Sequence, residues 1–262
     1  MSANPAILIT GASSGIGAVY AERFARRGHD LVLVARDGER LQALAARLRR
    51  EAGIAADILA ADLTAPADLA RVEARLRDDA NIGILVNNAG ANEPGDFLDQ
   101  SPDQVGRIIS LNVQALTRLA SAVAPRLART GAGAIVNIAS VVGFAPEFGM
   151  TVYGATKAFV IHLSQGLALE LGPKGVYVQA VLPSATRTEI WERSGRDMDE
   201  LPAVMDAGDL VDAALVGFDR REGVTIPPLP DERQWLKYEQ ARTAMLPNVM
   251  QVDPASRYRA AA

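Results

Sequence analysis

The chain of 262 residues has no cysteine. That excludes a disulfide framework and a thiolate metal site, and it allows a reducing compartment; a cytoplasmic location is the expectation. There are two histidines, His29 and His162, far apart and without ligand spacing. They read as a helix-end and a core residue, and no metal is expected. No uncharged run approaches the length of a membrane span. The first ten residues lack the basic start and long apolar core of a secretory signal. Net charge is −4 without a basic tail, which argues against nucleic acid as a partner. No linker, low-complexity tract or internal repeat interrupts the chain before residue 227, so a single domain is expected.

What is present is an alternation. Short apolar runs recur at Ala6–Ile9, Leu31–Ala35, Ile54–Ala60, Ile84–Val86, Ala134–Ala139, Val176–Leu182 and Val224–Ile226. Amphipathic stretches separate them: one ending near Arg27, then Glu39–Arg50, Pro66–Arg77, Val105–Leu127, Thr151–Leu171 and Asp209–Phe218. Strands alternating with helices argue βαβ units and a parallel sheet. Continuous rather than alternating apolar strands are expected when both sheet faces are covered.

The first strand runs into Thr10-Gly11-Ala12-Ser13-Ser14-Gly15-Ile16-Gly17 and then a helix. Bare backbone lets a pyrophosphate approach, and a helix N-terminus favours negative charge. The spacing, Gly-x-x-x-Gly-x-Gly, differs from the Gly-x-Gly-x-x-Gly dinucleotide fingerprint. The fourth strand ends in Asn87-Asn88-Ala89-Gly90, at the kind of strand terminus where open parallel sheets bind ligands. Asn112 lies within a helical run, where its side chain competes for backbone groups. It is either tolerated there or marks a local distortion holding water.

Tyr153 and Lys157 are four residues apart, on one helical face. A phenol is a poor acid or base near neutral pH. An ammonium beside it would lower its pKa and make the pair a proton-transfer unit. Between Thr151 and Leu171 only Lys157 and Glu170 are charged. A helix so apolar is buried on most sides, and structure alone does not call for a lysine there. Ser140, at the end of the fifth strand, could hold a substrate oxygen beside the phenol.

In order and spacing these motifs resemble the short-chain dehydrogenase/reductase family. The likeness covers about Ala6 to Thr188 and continues to the last strand. It implies a doubly wound, Rossmann-type sheet of seven parallel strands with helices on both faces, a nicotinamide cofactor, and interconversion of a carbonyl with an alcohol. It implies Tyr153 as acid/base, Lys157 as ligand of the nicotinamide ribose and tuner of Tyr153, Ser140 as the group positioning substrate oxygen, and Asn112 as anchor of a water relay. It also implies cofactor contacts at Gly11, Ser13, Ser14, Gly15, Ile16 and Gly17, at Asp62 and Leu63 beside the adenine, at Asn88, Ala89 and Gly90, and at Pro183, Thr186 and Thr188 near the nicotinamide.

The second strand ends Ala35-Arg36-Asp37. Ala35 stands where the family's NAD users carry an acid, and Arg36 where NADP users often carry a base. A guanidinium can bind a 2′-phosphate, so NADP(H) is expected over NAD(H). Asp37 either takes the acidic role or caps the next helix. Arg40, Arg47, Arg49 and Arg50 read as a solvated face. One departure from the family is Pro183-Ser184-Ala185-Thr186-Arg187-Thr188, with Ser184 in place of a usual glycine.

A lid is expected over about 184–204, with Trp191 and Met198 as apolar candidates for the pocket or for lid packing. Val141, Val142, Phe144 and Phe148 extend the pocket wall. Together they point to an apolar or amphipathic carbonyl or alcohol substrate. A 3-oxoacyl thioester reductase, an alcohol dehydrogenase and a non-catalytic dinucleotide sensor are the alternatives. The two long helices have apolar surface to spare, and family members commonly pair through them, so a homodimer or homotetramer is expected. An extension from about residue 227 carries Trp235, Tyr238 and Met245 at near-helical spacing, to close over a pocket or to pack on the surface.

Overall fold

A computed structural model describes residues 4–93, 95–189 and 203–259. Seven parallel strands form one sheet: β1 (Ala6–Thr10), β2 (Leu31–Ala35), β3 (Ala56–Ala60), β4 (Ile82–Asn87), β5 (Ala134–Ile138), β6 (Tyr177–Val181) and β7 (Val224–Thr225), in the order β3-β2-β1-β4-β5-β6-β7. This is the doubly wound order. Its reversal between β1 and β4 opens a crevice at the carboxyl ends of the strands.

Alternate side chains of each strand feed opposite cores. Ile7 and Ile9 of β1 join Leu33, Val86 and Val136 on one face. That face is covered by α1 (Gly15–Arg26), α2 (Gly38–Ala52) and the helix Ala207–Asp219, through Phe24, Leu41 and Leu210. Leu8, Val32, Leu85 and Ile135 point the other way. There they meet α3 (Pro66–Asp78), α5 (Leu116–Thr130) and the end of α6 (Thr151–Leu171), through Val72, Val123 and Leu171. Both cores are mainly apolar, which explains the hydrophobic strands; the buried amides of Asn137 on β5 and Gln179 on β6 are held by hydrogen bonds to Ser164 Oγ and Thr225 Oγ1. At the edge strand β3, exposed Asp57 pairs with Arg75 at 2.7 Å and so charges an otherwise open edge.

Two expectations change. The run Val105–Leu127 is not one α-helix: α4 (Pro102–Ile109) passes through a π-helical segment, Ser110–Ala115, into α5. His162 is exposed on α6 rather than in the core. The sheet unit extends to Pro227, and Pro228 begins a second compact unit. That unit contains the helix Glu232–Ala244, none of whose residues is buried, with Trp235 stacked on Tyr238 at 5.0 Å. Trp191 and Met198 of the expected lid lie outside the described residues.

Candidate active site

The glycine-rich turn is built by close approach. Gly11 and Gly15 have φ of 66° and 55°, in the left-handed region that glycine occupies without strain. A Cβ on Gly17 would stand 2.3 Å from the Gly11 carbonyl oxygen and 2.5 Å from Asn88 Nδ2. The first turn of α1 thus lies directly on the loop. It holds no acidic residue, and its N-cap, Ser14, makes no side-chain capping hydrogen bond. A helix N-terminus left open in this way, on glycine backbone, fits an anionic pyrophosphate. Ser13 is half-buried beside it, and Ile16 packs against the core below.

Asn88 holds that turn from the neighbouring strand. Its Nδ2 donates to Thr10 O at 2.9 Å and Gly11 O at 3.2 Å, while the backbone N–H groups of Asn88 and Ala89 both donate to Thr10 Oγ1 at 3.0 Å. The side chain of Asn88 therefore supports the cradle rather than facing a ligand. Next to it, Gly90 lies between Asn112 and Lys157: a Cβ there would be 3.4 Å from Asn112 Oδ1 and 3.5 Å from Lys157 Nζ.

Asn112 sits in the π-helical segment, the distorted alternative of the two sequence readings. It is buried. Its Oδ1 accepts from Ala91 N at 2.9 Å, and its Nδ2 donates to Ala91 O at 2.8 Å and to Thr156 Oγ1 at 3.1 Å. Thr156 Oγ1 in turn donates to Tyr153 O at 2.7 Å. A π-bulge widens the helix by one residue, which lets a short amide reach sideways to β4's exit loop and to α6 together.

Ser140, Tyr153 and Lys157 converge at the carboxyl end of β5. Ser140 extends β5 and caps the 3-10 turn Val141–Gly143, its Oγ donating to Pro183 O at 3.2 Å. Lys157 is 5% exposed, its Nζ donating to Ile138 O at 2.8 Å and lying 5.5 Å from the Tyr153 ring centroid. Burial pulls this ammonium down to about 8. Burial also pushes the Tyr153 phenol up to about 12, against an opposing hydrogen bond from Ser140. The sequence reading had the ammonium lowering the phenol; the shift is upward instead, set by burial.

Sequence reasoning missed two positioning residues. A Cβ on Gly143 would be 2.7 Å from Lys157 C and 2.8 Å from Ala158 N, so its absence lets the turn after Ser140 rest on α6 beside Lys157. Thr156 links Asn112 to α6; its place between Tyr153 and Lys157 was the available signal. Val142 is buried, while Phe144 and Phe148 are exposed on the turns that follow Ser140.

At the other end of the crevice, Arg36 is exposed. Asp62 accepts from the backbone N–H and hydroxyl of Thr64 at 2.9 and 2.7 Å, which holds its carboxyl below the usual range, with a smaller contribution from Arg36. Leu63 is buried beneath. Asp37 caps α2, accepting from Arg40 N at 2.9 Å. The arginines of α2 are not simply solvated. Arg40 Nη1 bonds both Glu189 carboxylate oxygens at 2.7 and 2.8 Å, Arg47 pairs with Glu22, and Arg49 donates to Ala56 O. Past β6, Pro183 is buried and its carbonyl also accepts from Val141 N at 3.0 Å. Ser184 does not occupy the left-handed region, so its φ does not require the glycine usual there. Thr186 is buried, and Thr188 Cγ2 lies 3.0 Å from the position of a Gly15 Cβ. The segments that carry the cofactor residues read from the sequence thus follow the carboxyl ends of β1, β2, β3, β4 and β6, with the Asn88 side chain turned into the support of the glycine-rich turn.

Comparison with known proteins agrees with this geometry. Residues 5–199 match the family model for short chain dehydrogenases. A very-long-chain 3-oxoacyl-CoA reductase of Bos taurus is 36% identical over 188 residues, covering 70% of this chain and 60% of that protein. The chain thus spans less than two thirds of that relative's length. Two solved structures match nearly throughout. A short-chain dehydrogenase from Sphingobium yanoikuyae, in complex with NADPH, is 66% identical with a TM-score of 0.96, covering 97% of this chain and 100% of that one. An alcohol dehydrogenase from Comamonas testosteroni, specific for bulky-bulky ketones, is 59% identical with a TM-score of 0.91, covering 97% and 98%. From the seven-stranded order down to the tyrosine and lysine on α6, the chain belongs to the short-chain dehydrogenase/reductase family.

Proposed function

We propose that the protein is an NADP(H)-dependent oxidoreductase that interconverts a carbonyl and a secondary alcohol on an apolar or amphipathic small molecule. The observation that carries this reading is the convergence of Ser140, Tyr153 and Lys157 at one end of a crevice whose middle is an open helix N-terminus on glycine backbone. The 66%-identical protein solved with NADPH supports the choice of cofactor, as does Arg36 at the end of β2.

A bound nicotinamide dinucleotide supplies the hydride. Gly11, Ser13, Ser14, Gly15, Ile16 and Gly17 would hold its pyrophosphate, Arg36 its 2′-phosphate, and Asp62 and Leu63 its adenine. Ala89, Gly90, Pro183, Thr186 and Thr188 would border the nicotinamide half. The chain's own residues do the rest. Ser140 holds the substrate oxygen by a hydrogen bond. Tyr153 gives that oxygen a proton in the reductive direction and takes it back in the oxidative one. Lys157 holds the ribose and supplies positive charge beside the phenol. Asn112, fixed to Ala91 and Thr156, keeps the relay end of the site in register.

The ketone specificity of the Comamonas relative and the aromatic turns at Phe144 and Phe148 favour a carbonyl flanked by large apolar groups. The bovine relative favours a second reading, reduction of a 3-oxoacyl thioester. Initial rates of NADPH and NADH oxidation with bulky ketones, aldehydes and 3-oxoacyl thioesters separate the two. Bulky ketones with NADPH are expected to lead. Thioesters turned over faster than every ketone would reverse the order, and no turnover with any of them would reject both.

We also propose a homodimer or homotetramer joined through the outward faces of α5 and α6, and a cytoplasmic location. The assembly is supported by Phe159 and Leu169, which are 39% and 80% exposed on α6. Light scattering at micromolar concentration is expected to give a multiple of 27.8 kDa; monomer alone would refute it.

A further inference from the structure

The ion pair between Arg40 and Glu189 joins elements that the sheet order keeps well apart. Arg40 is on the first turn of α2, the helix that follows β2. Glu189 follows β6. Between β2 and β6 lie β1, β4 and β5. Four strand intervals span roughly 19 Å. The pair closes that gap across the carboxyl ends of the intervening strands, over the switch-point crevice where such sheets bind ligands.

The chain leading to Glu189 is anchored at each step. Pro183 O accepts from Val141 N and Ser140 Oγ at the substrate end. Arg187 N donates to Met205 O, and Met205 N to Ala185 O, each at 2.9 Å. Thr188 Cγ2 stands 3.0 Å from where a Gly15 Cβ would be, against the glycine-rich turn. Glu189 then reaches Arg40, which also lies 3.4 Å from Asp37.

We propose that residues 185–189 form a strap across the dinucleotide crevice and that the Arg40–Glu189 ion pair is its latch, setting the rate at which cofactor leaves. The proposal rests on the dinucleotide reading above. A ligand lying along the crevice from Arg36 to Lys157 passes under the strap, and departs when the latch opens. The latch grips the strap rather than a particular phosphate, so it acts alike on NADPH and NADH. Both side chains are partly exposed, at 50% and 36%, so the contact opens readily and is screened by salt.

The test is stopped-flow displacement of NADPH, and separately of NADH, from wild type, R40Q, E189Q and the double variant, at low and high salt. A latch predicts dissociation faster by about two- to fivefold in either single variant, the range open to an exposed ion pair. The double variant should fall short of the sum of the singles, because the ion pair they share can be lost only once. High salt should erase the gap from wild type. Unchanged dissociation rates would overturn the latch. So would R40Q weakening NADPH alone while E189Q tightens it: that pattern makes Arg40 a 2′-phosphate ligand for which Glu189 competes. Wild-type protein that binds neither cofactor would instead reject the dinucleotide reading itself.

Discussion

Lys157 is an ammonium removed from water, donating to Ile138 O, and that cost varies with pH. Burial pulls its pKa from 10.5 to about 8. Below about 8 the folded protein must carry the buried cation, and the full penalty is present. Between about 8 and 10.5 the folded state sheds the proton before the unfolded one does, so the penalty fades as pH rises. Lys157→Met removes this dependence. Denaturant unfolding should therefore show the variant losing ground to wild type from about pH 7 to about pH 10, by on the order of 3 kcal/mol; a constant difference would mean that Lys157 is not desolvated. Arg36 is the opposite kind of residue, exposed and identified by position alone. Arg36→Ala should weaken NADPH by about 10- to 150-fold, the range for a hydrogen bond to a charged group, and NADH far less. Equal losses by titration would remove it from the phosphate site. The helical spacing of Tyr153 and Lys157 was legible because it is local. The direction of the phenol's shift was not, because burial comes from β5, its turn and α6 together.

Among elements, the junction of β1, α1 and β4 is the tightest. Asn88 bonds two carbonyls of the turn, and Gly17 touches the same loop from the helix. Gly17→Ala inserts a methyl against backbone that cannot yield, and should lower stability by about 1–3 kcal/mol along with dinucleotide affinity. Gly106→Ala is the control: the residue is exposed within α4, with no heavy atom within 4 Å of its Cβ position. That variant should be neutral or stabilised by up to about 1 kcal/mol. Thermal melts that rank the two the other way would contradict the packing argument. The glycine pattern pointed to a phosphate site from the sequence, but the role of Asn88 as its support required the neighbouring strand. The π-helical segment was half legible: Asn112 is a poor interior helix residue, yet apolar periodicity runs through Val105–Leu127 as if the helix were continuous. Arg40 was misread for a related reason. An arginine on a polar helix face looks solvated until a residue 149 positions away folds back to it.

At the scale of the whole molecule, the sheet order puts the turn after β1, the turn after β4 and the end of β5 side by side. Residues 10–17, 87–90, 112, 140 and 153–157 thereby become one site, although no two of these groups are close in sequence except the last pair of motifs. The apolar runs made seven strands legible, with ends displaced by one or two residues. That those strands form one doubly wound sheet came from the resemblance rather than from the runs, and their order from the structure, since a parallel strand carries no local mark of its neighbour. The account's central claim is that this site moves a proton through Tyr153 while the crevice beside it holds NADPH. The most direct test compares Tyr153→Phe with wild type in NADPH oxidation by a bulky ketone that the wild type reduces, with NADPH affinity measured on the same samples. The account predicts a rate lower by about 10²- to 10⁴-fold, the usual contribution of a positioned acid or base, with affinity nearly unchanged. A Phe variant that reduces the ketone at close to the wild-type rate would contradict it.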